Sequence, residues 1–222
     1  MRKITVGAQV SIDGVMQAPG GPTEDPTKGF KFGGWVMPYF DQEGGEEIER
    51  LFKEKFDLLL GRKTYEIFAA YWPYYDEEGS HGGIAKLFNG IKKYAVSRSG
   101  DVDTSWQGSV LLRDIADVKR LKQEGGPDLV TQGSTELVHA LLDNDLVDAM
   151  SIFTVPVVLG GGKKLFALDS PSEREIARHE RMKREGWTFS PLLVSPTTLA
   201  GMRSRVRRSD LVACSRLGRS HG

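Results

Sequence analysis

The sequence predicts an α/β protein built on a largely parallel sheet with helices on both faces. Three observations carry this expectation. Apolar runs of strand length alternate with stretches of helical spacing along most of the 222 residues. Runs such as Leu58-Leu59-Leu60 are apolar without a break, as in a buried strand. The strand-then-helix unit repeats several times, the pattern of a mostly parallel sheet.

Residues Lys3 to Val10 alternate, with Ile4, Val6, Ala8 and Val10 on one side and Thr5, Gly7 and Gln9 on the other, the period of a half-buried strand. Ser11-Ile12-Asp13-Gly14 breaks it. A long Gly- and Pro-rich segment from Ala18 to Pro38 follows, and a loop of that length inside a compact domain is more often functional than idle. Helical spacing starts near Glu46, where Ile48, Leu51, Phe52 and Phe56 share a face, and Asp57 to Gly61 reads as a buried strand. A helix opens at Arg62-Lys63-Thr64-Tyr65. Ile84, Leu87, Phe88 and Ile91 mark another, and Lys93 to Ser97 is a strand. Val110-Leu111-Leu112 is a further strand, and Ile115, Val118 and Leu121 mark a helix closed by Gly125-Gly126 as its C-cap. Leu129-Val130-Thr131 runs into Gln132-Gly133-Ser134-Thr135 and a helix with Leu137, Val138, Leu141 and Leu142 on one face. Val147 to Leu159 is apolar and β-branched and stops at Gly160-Gly161-Gly162.

Composition excludes several classes. At 39% hydrophobic and 27% charged residues the chain has the make-up of a soluble globular protein. Lys and Arg number 30, as do Asp and Glu, so the concentrated cationic excess of a nucleic-acid binder is missing. One cysteine, Cys214, cannot form an internal disulfide, and a reducing, cytoplasmic compartment is expected. The start lacks the apolar stretch of a secretory signal, and no window approaches the roughly 20 apolar residues of a membrane span. The neutral charge is a cancellation. Residues 195–222 hold six Arg, no Lys and one Asp, a charge of +5, which leaves −5 on the rest. The expected organisation is therefore one domain over residues 1–194 and a basic, poorly ordered tail over 195–222.

Open α/β sheets bind ligands at the carboxyl ends of their strands, where helix N-termini present free N–H groups and a partial positive charge. Three junctions carry suitable residues. Gly61, Arg62, Lys63 and Thr64 combine a glycine, two cations and a hydroxyl; Ser97 and Arg98 repeat the hydroxyl and guanidinium; Gln132, Gly133, Ser134 and Thr135 supply N–H donors and hydroxyls. Together they suit a dinucleotide with several phosphates. Taken one at a time each has a plainer reading, since cations after strands are often only solvated and Ser134 is an ordinary N-cap type. Gly160-Gly161-Gly162-Lys163-Lys164 matches neither phosphate-loop pattern. The four histidines lack metal-ligand spacing, so no metal is expected, and no GxSxG elbow is present.

The order of Ser11-Ile12-Asp13-Gly14, Leu58 to Glu66, Gln132-Gly133-Ser134 and Pro156 to Gly162 with Leu165-Phe166 resembles the dihydrofolate reductase-like superfamily. Within it the chain is most similar to the C-terminal reductase domain of the bifunctional riboflavin-biosynthesis deaminase/reductase, over roughly residues 3 to 185. The resemblance implies a mostly parallel sheet with antiparallel C-terminal strands, a homodimer, and NADPH-dependent reduction of a small heterocyclic or carbonyl-type molecule. It places Arg62, Lys63 and Thr64 at the 2′-phosphate and pyrophosphate, and Ser97 and Arg98 at the adenosine end. Gln132, Gly133, Ser134 and Thr135 fall at the pyrophosphate and nicotinamide, with a cis peptide implied in that turn, and Gly61 belongs to the cofactor-binding junction with Arg62. Ala8 and Gln9 would meet the carboxamide, and Asp13, Met16 and Trp35 the substrate. None of Asp41, Glu46 and Glu47 falls on the family's proton-donor position, so no catalytic acid is assigned. A non-catalytic nucleotide-binding protein on the same fold is the alternative, and a tail that acts as a nucleic-acid or anionic-surface arm is a third reading.

Overall fold

The period-two pattern at the start of the chain folds as β1, Ile4–Ser11, in which Ile4, Val6, Ala8 and Val10 are at most 6% exposed. The computed structural model describes residues 1–40, 42–79, 81–166 and 189–191. The chain divides after Leu192, and the unit Met1–Leu192 contains all the elements that follow. The expected tail, 195–222 with Cys214, lies outside the described residues.

After β1 come α1 (Gln42–Leu51), β2 (Phe56–Gly61), α2 (Arg62–Tyr71), α3 (Gly82–Gly90), β3 (Lys93–Val96) and β4 (Ser109–Leu112). The chain continues with α4 (Ile115–Gln123), β5 (Asp128–Thr131), α5 (Thr135–Asp143), β6 (Ala149–Val155) and β7 (Phe189–Pro191). The strands form one sheet in the order β4-β3-β2-β5-β1-β6-β7. β2, β3 and β4 step outward on one side of β1; the chain then returns to insert β5 between β1 and β2, and β6 pairs on the far side of β1. Register places Val6 beside Thr131 of β5, and Ala8 beside Ile152 of β6.

Strands buried on both faces account for the unbroken apolar runs. Phe56, Leu58 and Leu60 of β2 pack on one face with Tyr65 of α2, Phe88 of α3 and Trp106. Leu59 points the other way, to Val118 of α4, Leu129, and Leu141 of α5. Each of these leucines is 0% exposed, and burial of that extent contributes about 2 kcal/mol per side chain.

Three expectations are corrected. Every ladder among the described residues is parallel, β6 with β7 included, and the antiparallel pairing that exists is the single bridge of Val15 with Lys164. Helix α1 starts at Gln42, ahead of Glu46, and Phe56 belongs to β2. Helix α4 ends with Glu124 as its C-cap in extended conformation, so Gly125-Gly126 lie beyond the cap, in the turn into β5. No helix among the described residues is long and apolar enough to cross a membrane.

Candidate active site

At the carboxyl ends of β2 and β5 two strand-to-helix turns pack into each other. The Gly61 N–H donates to the Gly133 carbonyl at 3.1 Å, and the Thr131 hydroxyl donates to the same oxygen at 3.0 Å. A Cβ on Gly61 would lie 2.9 Å from the Ser134 nitrogen, and one on Gly133, whose φ is +137°, would lie 2.8 Å from the Thr64 hydroxyl oxygen. Glycine at both positions lets the turns approach to this distance. The Gly133–Ser134 peptide is cis, which assigns the bond that the sequence left open.

The starts of the two helices lack a feature present elsewhere. At α4 the Asp114 carboxylate accepts from the N–H groups of Ala116 and Asp117 at 2.8 and 3.0 Å. Neither Gly61 at the start of α2 nor Ser134 at the start of α5 makes a side-chain capping bond. First-turn N–H groups at these two ends keep their donors and their share of the helix dipole for another acceptor.

Both turns open on a cavity of about 590 Å³. Lys63 and Thr64 line it from α2, and Gln132, Gly133, Ser134 and Thr135 from the turn into α5. Gly7, Ala8 and Gln9 of β1 form its floor beside Ser151 and Phe153 of β6. Met16 lines the side made by the loop after β1.

Six of the expected residues stand outside the lining. Gly61 lies beneath it, holding Gly133. Arg62 forms a neighbouring cluster: its guanidinium donates to Glu66 at 2.6 Å and to the Ser99 hydroxyl at 3.0 Å, and it faces the Asp101 carboxylate as an ion pair at 3.8 Å. Ser97, buried, reaches Ser99 at 3.1 Å, and Arg98 is exposed beside it. Asp13 and Trp35 have structural partners instead of cavity faces. The Asp13 carboxylate accepts from the Ser11 hydroxyl and from the N–H groups of Leu159 and Gly160, and the Ser11 bond leads the effects that hold its pKa below the ordinary value. Trp35, 6% exposed, donates its indole N–H to the Gln17 carbonyl at 2.8 Å and packs with Phe153 and Val155. Each holds a segment whose neighbours form the wall.

Residues that sequence reasoning missed complete that wall. Gln17 donates to the carbonyls of Asp25 and Thr27 and accepts from the Lys163 N–H at 3.0 Å, while the Lys163 ammonium pairs with Asp25 at 2.7 Å. Glu24, His81 and Tyr71 also face the cavity. No local spacing marks a pair 138 residues apart; the visible signal was the long Gly- and Pro-rich loop. No metal-binding cluster occurs among the described residues.

YyaP of Bacillus subtilis (strain 168), an uncharacterized protein, is 27% identical over 173 residues, 74% of this chain and 80% of its own. YwjB, an uncharacterized protein of the same strain, is 27% identical over 169 residues, 74% of this chain and 83% of its own. Among solved structures, a riboflavin biosynthesis protein from Shewanella sp. PV-4 covers 76% of this chain and 85% of its own at 21% identity, with a TM-score of 0.46. Dihydrofolate reductase from Enterococcus faecalis, complexed with NADP(H) and RAB-propyl, covers 75% and 79% at 10% identity, with a TM-score of 0.48. The family described as the RibD C-terminal domain matches residues 2–187, which span β1 to β6 and both glycine turns; the chain belongs to that family, one of reductase type.

Proposed function

We propose that this chain is an NADPH-dependent reductase that delivers a hydride to a small heterocyclic or carbonyl-type acceptor. The observation that carries the proposal is the convergence of two uncapped helix N-termini, α2 and α5, on one cavity floored by the carboxyl half of β1. A dinucleotide's phosphates match N–H donors and dipoles of this kind, and the glycines at 61 and 133 keep Cβ atoms out of the cradle.

In this reading the first-turn N–H groups of α2 and α5 hold the pyrophosphate, with Lys63 adding charge. Arg62, Ser97, Arg98 and Ser99 take the adenosine end and its 2′-phosphate, and the backbone of Ala8 and Gln9 meets the nicotinamide carboxamide. The cofactor, when bound, supplies the hydride; the protein's task is to position the acceptor against it and exclude water. The loop from Met16 to Asp25 serves the second need, fastened by Gln17 and Lys163. A homodimer belongs to the same reading, and light scattering of the purified protein tests it.

Titration with NADPH and with NADH, followed by quenching of the four tryptophans, tests the proposal. Preferential binding of NADPH is expected, and undetectable or equal binding of the two would sink it. Arg62→Ala should reduce the preference by about tenfold, since a charged hydrogen-bonding partner of the phosphate is removed. Consumption of NADPH with any member of an acceptor panel separates a reductase from a protein that only binds the nucleotide.

A further inference from the structure

Two carboxylates stand next to each other in the cavity wall, and their surroundings differ. Asp25, 8% exposed, is paired with the Lys163 ammonium at 2.7 Å and accepts from the Thr27 hydroxyl at 2.6 Å. Burial pushes its carboxyl up, but the bonds from Lys163 and Thr27 outweigh that and hold it below the ordinary value. Glu24 has no cation beside it among the described residues. Its Oε2 accepts from the N–H groups of Gly20 and Gly21 at 2.7 and 3.0 Å, and its Oε1 accepts no bond among the described residues. Burial pushes the Glu24 carboxyl up; the two glycine N–H groups pull it down, the charge of Asp25 adds to the rise, and the result is upward. The two neighbouring carboxyls are thus pushed in opposite directions, Glu24 toward its protonated form and Asp25 toward its anion.

We propose that Glu24 is the proton donor of this site, passing its carboxyl proton to the nitrogen of a C=N bond in a small heterocyclic acceptor. The inference rests on the reading of the cavity as a hydride-transfer site. The carbon of the C=N bond receives the hydride, with reduced nicotinamide dinucleotide as the reductant. The π pair moves to nitrogen and forms an N–H bond with the Glu24 proton. The products are a saturated CH–NH unit and the oxidised dinucleotide, and the Glu24 carboxylate regains its proton from water. The N–H groups of Gly20 and Gly21 already point at Oε2, so the negative charge that appears there meets donors that need no reorganisation. The other charged or titratable groups of the wall are Lys63, Tyr71, His81, Asp25 and Lys163. Asp25 and Lys163 neutralise each other, and His81 is engaged with the Tyr75 hydroxyl at 3.4 Å.

Glu24→Gln keeps an oxygen for the two glycine N–H groups and removes the acidic proton, so it separates proton donation from closure of the turn. The first measurement needs no turnover. In full-chain protein carrying 13C at the glutamate side-chain carboxyl, the Glu24 resonance is identified by its loss in Glu24→Gln or Glu24→Asp and titrated with pH. A midpoint above the usual value of about 4.3 is expected; a midpoint at or below it overturns the inference. The second compares, with NADPH and above the imine's own pKa, a neutral cyclic imine with its N-methyl iminium analogue, which needs no proton. Glu24→Gln should lower the imine-to-iminium rate ratio by about 100-fold. An unchanged ratio leaves Glu24 as a turn-closing residue and overturns the inference alone. Wild-type protein that binds no NADPH and reduces neither acceptor overturns the hydride reading and the inference with it.

Discussion

Lys93 shows how a single residue reports its surroundings. It lies on β3 with 0% exposure, donating to the carbonyls of Phe88 and Asn89 at 2.9 and 3.2 Å where α3 ends, with its nitrogen 4.4 Å from the centre of the Trp106 ring. Cations are favoured at a helix C-terminus, yet burial dominates and lowers the Lys93 pKa from 10.5 to about 8, with Asp57 opposing. An uncharged amine still has two N–H donors, enough for both carbonyls, so losing the proton breaks neither bond. Between pH 8 and 10.5 the unfolded chain binds more protons at this site than the folded one, and stability there rises with pH. Lys93→Met cannot titrate. Denaturant unfolding at about pH 7 and about pH 10 should show wild type gaining on the order of 2 kcal/mol relative to Lys93→Met. A constant difference between the two proteins would contradict the lowered pKa.

At the scale of elements, the start of α4 is closed by a side-chain cap while those of α2, α3 and α5 have none, and the proposed function divides α4, capped for stability, from α2 and α5, whose open ends take the ligand. Asp114→Ala removes the two bonds that close α4 and should cost about 1 kcal/mol in denaturant unfolding. Ser134→Ala removes a side chain that makes no capping bond. It should change stability by under about 0.5 kcal/mol while weakening NADPH binding several-fold, and equal stability losses in the two variants would refute the division. The elements themselves were legible because their signals are local: β1 has strict alternation, β2 an unbroken apolar run, and α5 the spacing of Leu137, Val138, Leu141 and Leu142. The start of α1 was hidden because Gln42-Glu43-Gly44-Gly45 has no apolar residue to set a period. The glycine turns were legible as candidate phosphate cradles, but that Gly61 and Gly133 meet each other depends on β5 lying beside β2, which no local pattern encodes. The family resemblance implies Asp13 and Trp35 at the substrate; that their bonds to Leu159, Gly160 and Gln17 also tie them to the framework depends on contacts between distant segments that no local pattern encodes.

On the scale of the whole molecule, the cavity wall depends on two segments far apart in sequence. The chain after β6 lies along the loop after β1. The Ile12 N–H donates to the Val157 carbonyl, Met16 to Lys163, and Leu165 to Gly14, each at 2.9 Å, and Val15 forms its bridge with Lys164. The ion pair of Lys163 with Asp25 fastens the far end of the loop, next to Glu24. Asp25 has its pKa depressed in the folded chain, so its stabilising effect is complete above the unfolded value of about 3.9 and is lost as pH falls through the lower folded value. In Lys163→Met the buried carboxylate keeps only its Thr27 partners, and burial then favours the protonated form. An uncompensated buried charge is the costly case, on the order of 3 kcal/mol, and the cost falls on the loop rather than on the sheet. Limited proteolysis should therefore cut Lys163→Met within residues 16–40 near neutral pH, where the wild-type loop resists until strongly acidic pH. The Michaelis constant for the acceptor should rise, while NADPH affinity, which the proposed function assigns to α2 and α5, stays within about twofold. Cleavage at the same rate in both proteins would show that the backbone bonds alone hold the loop and that the ion pair contributes nothing to the wall.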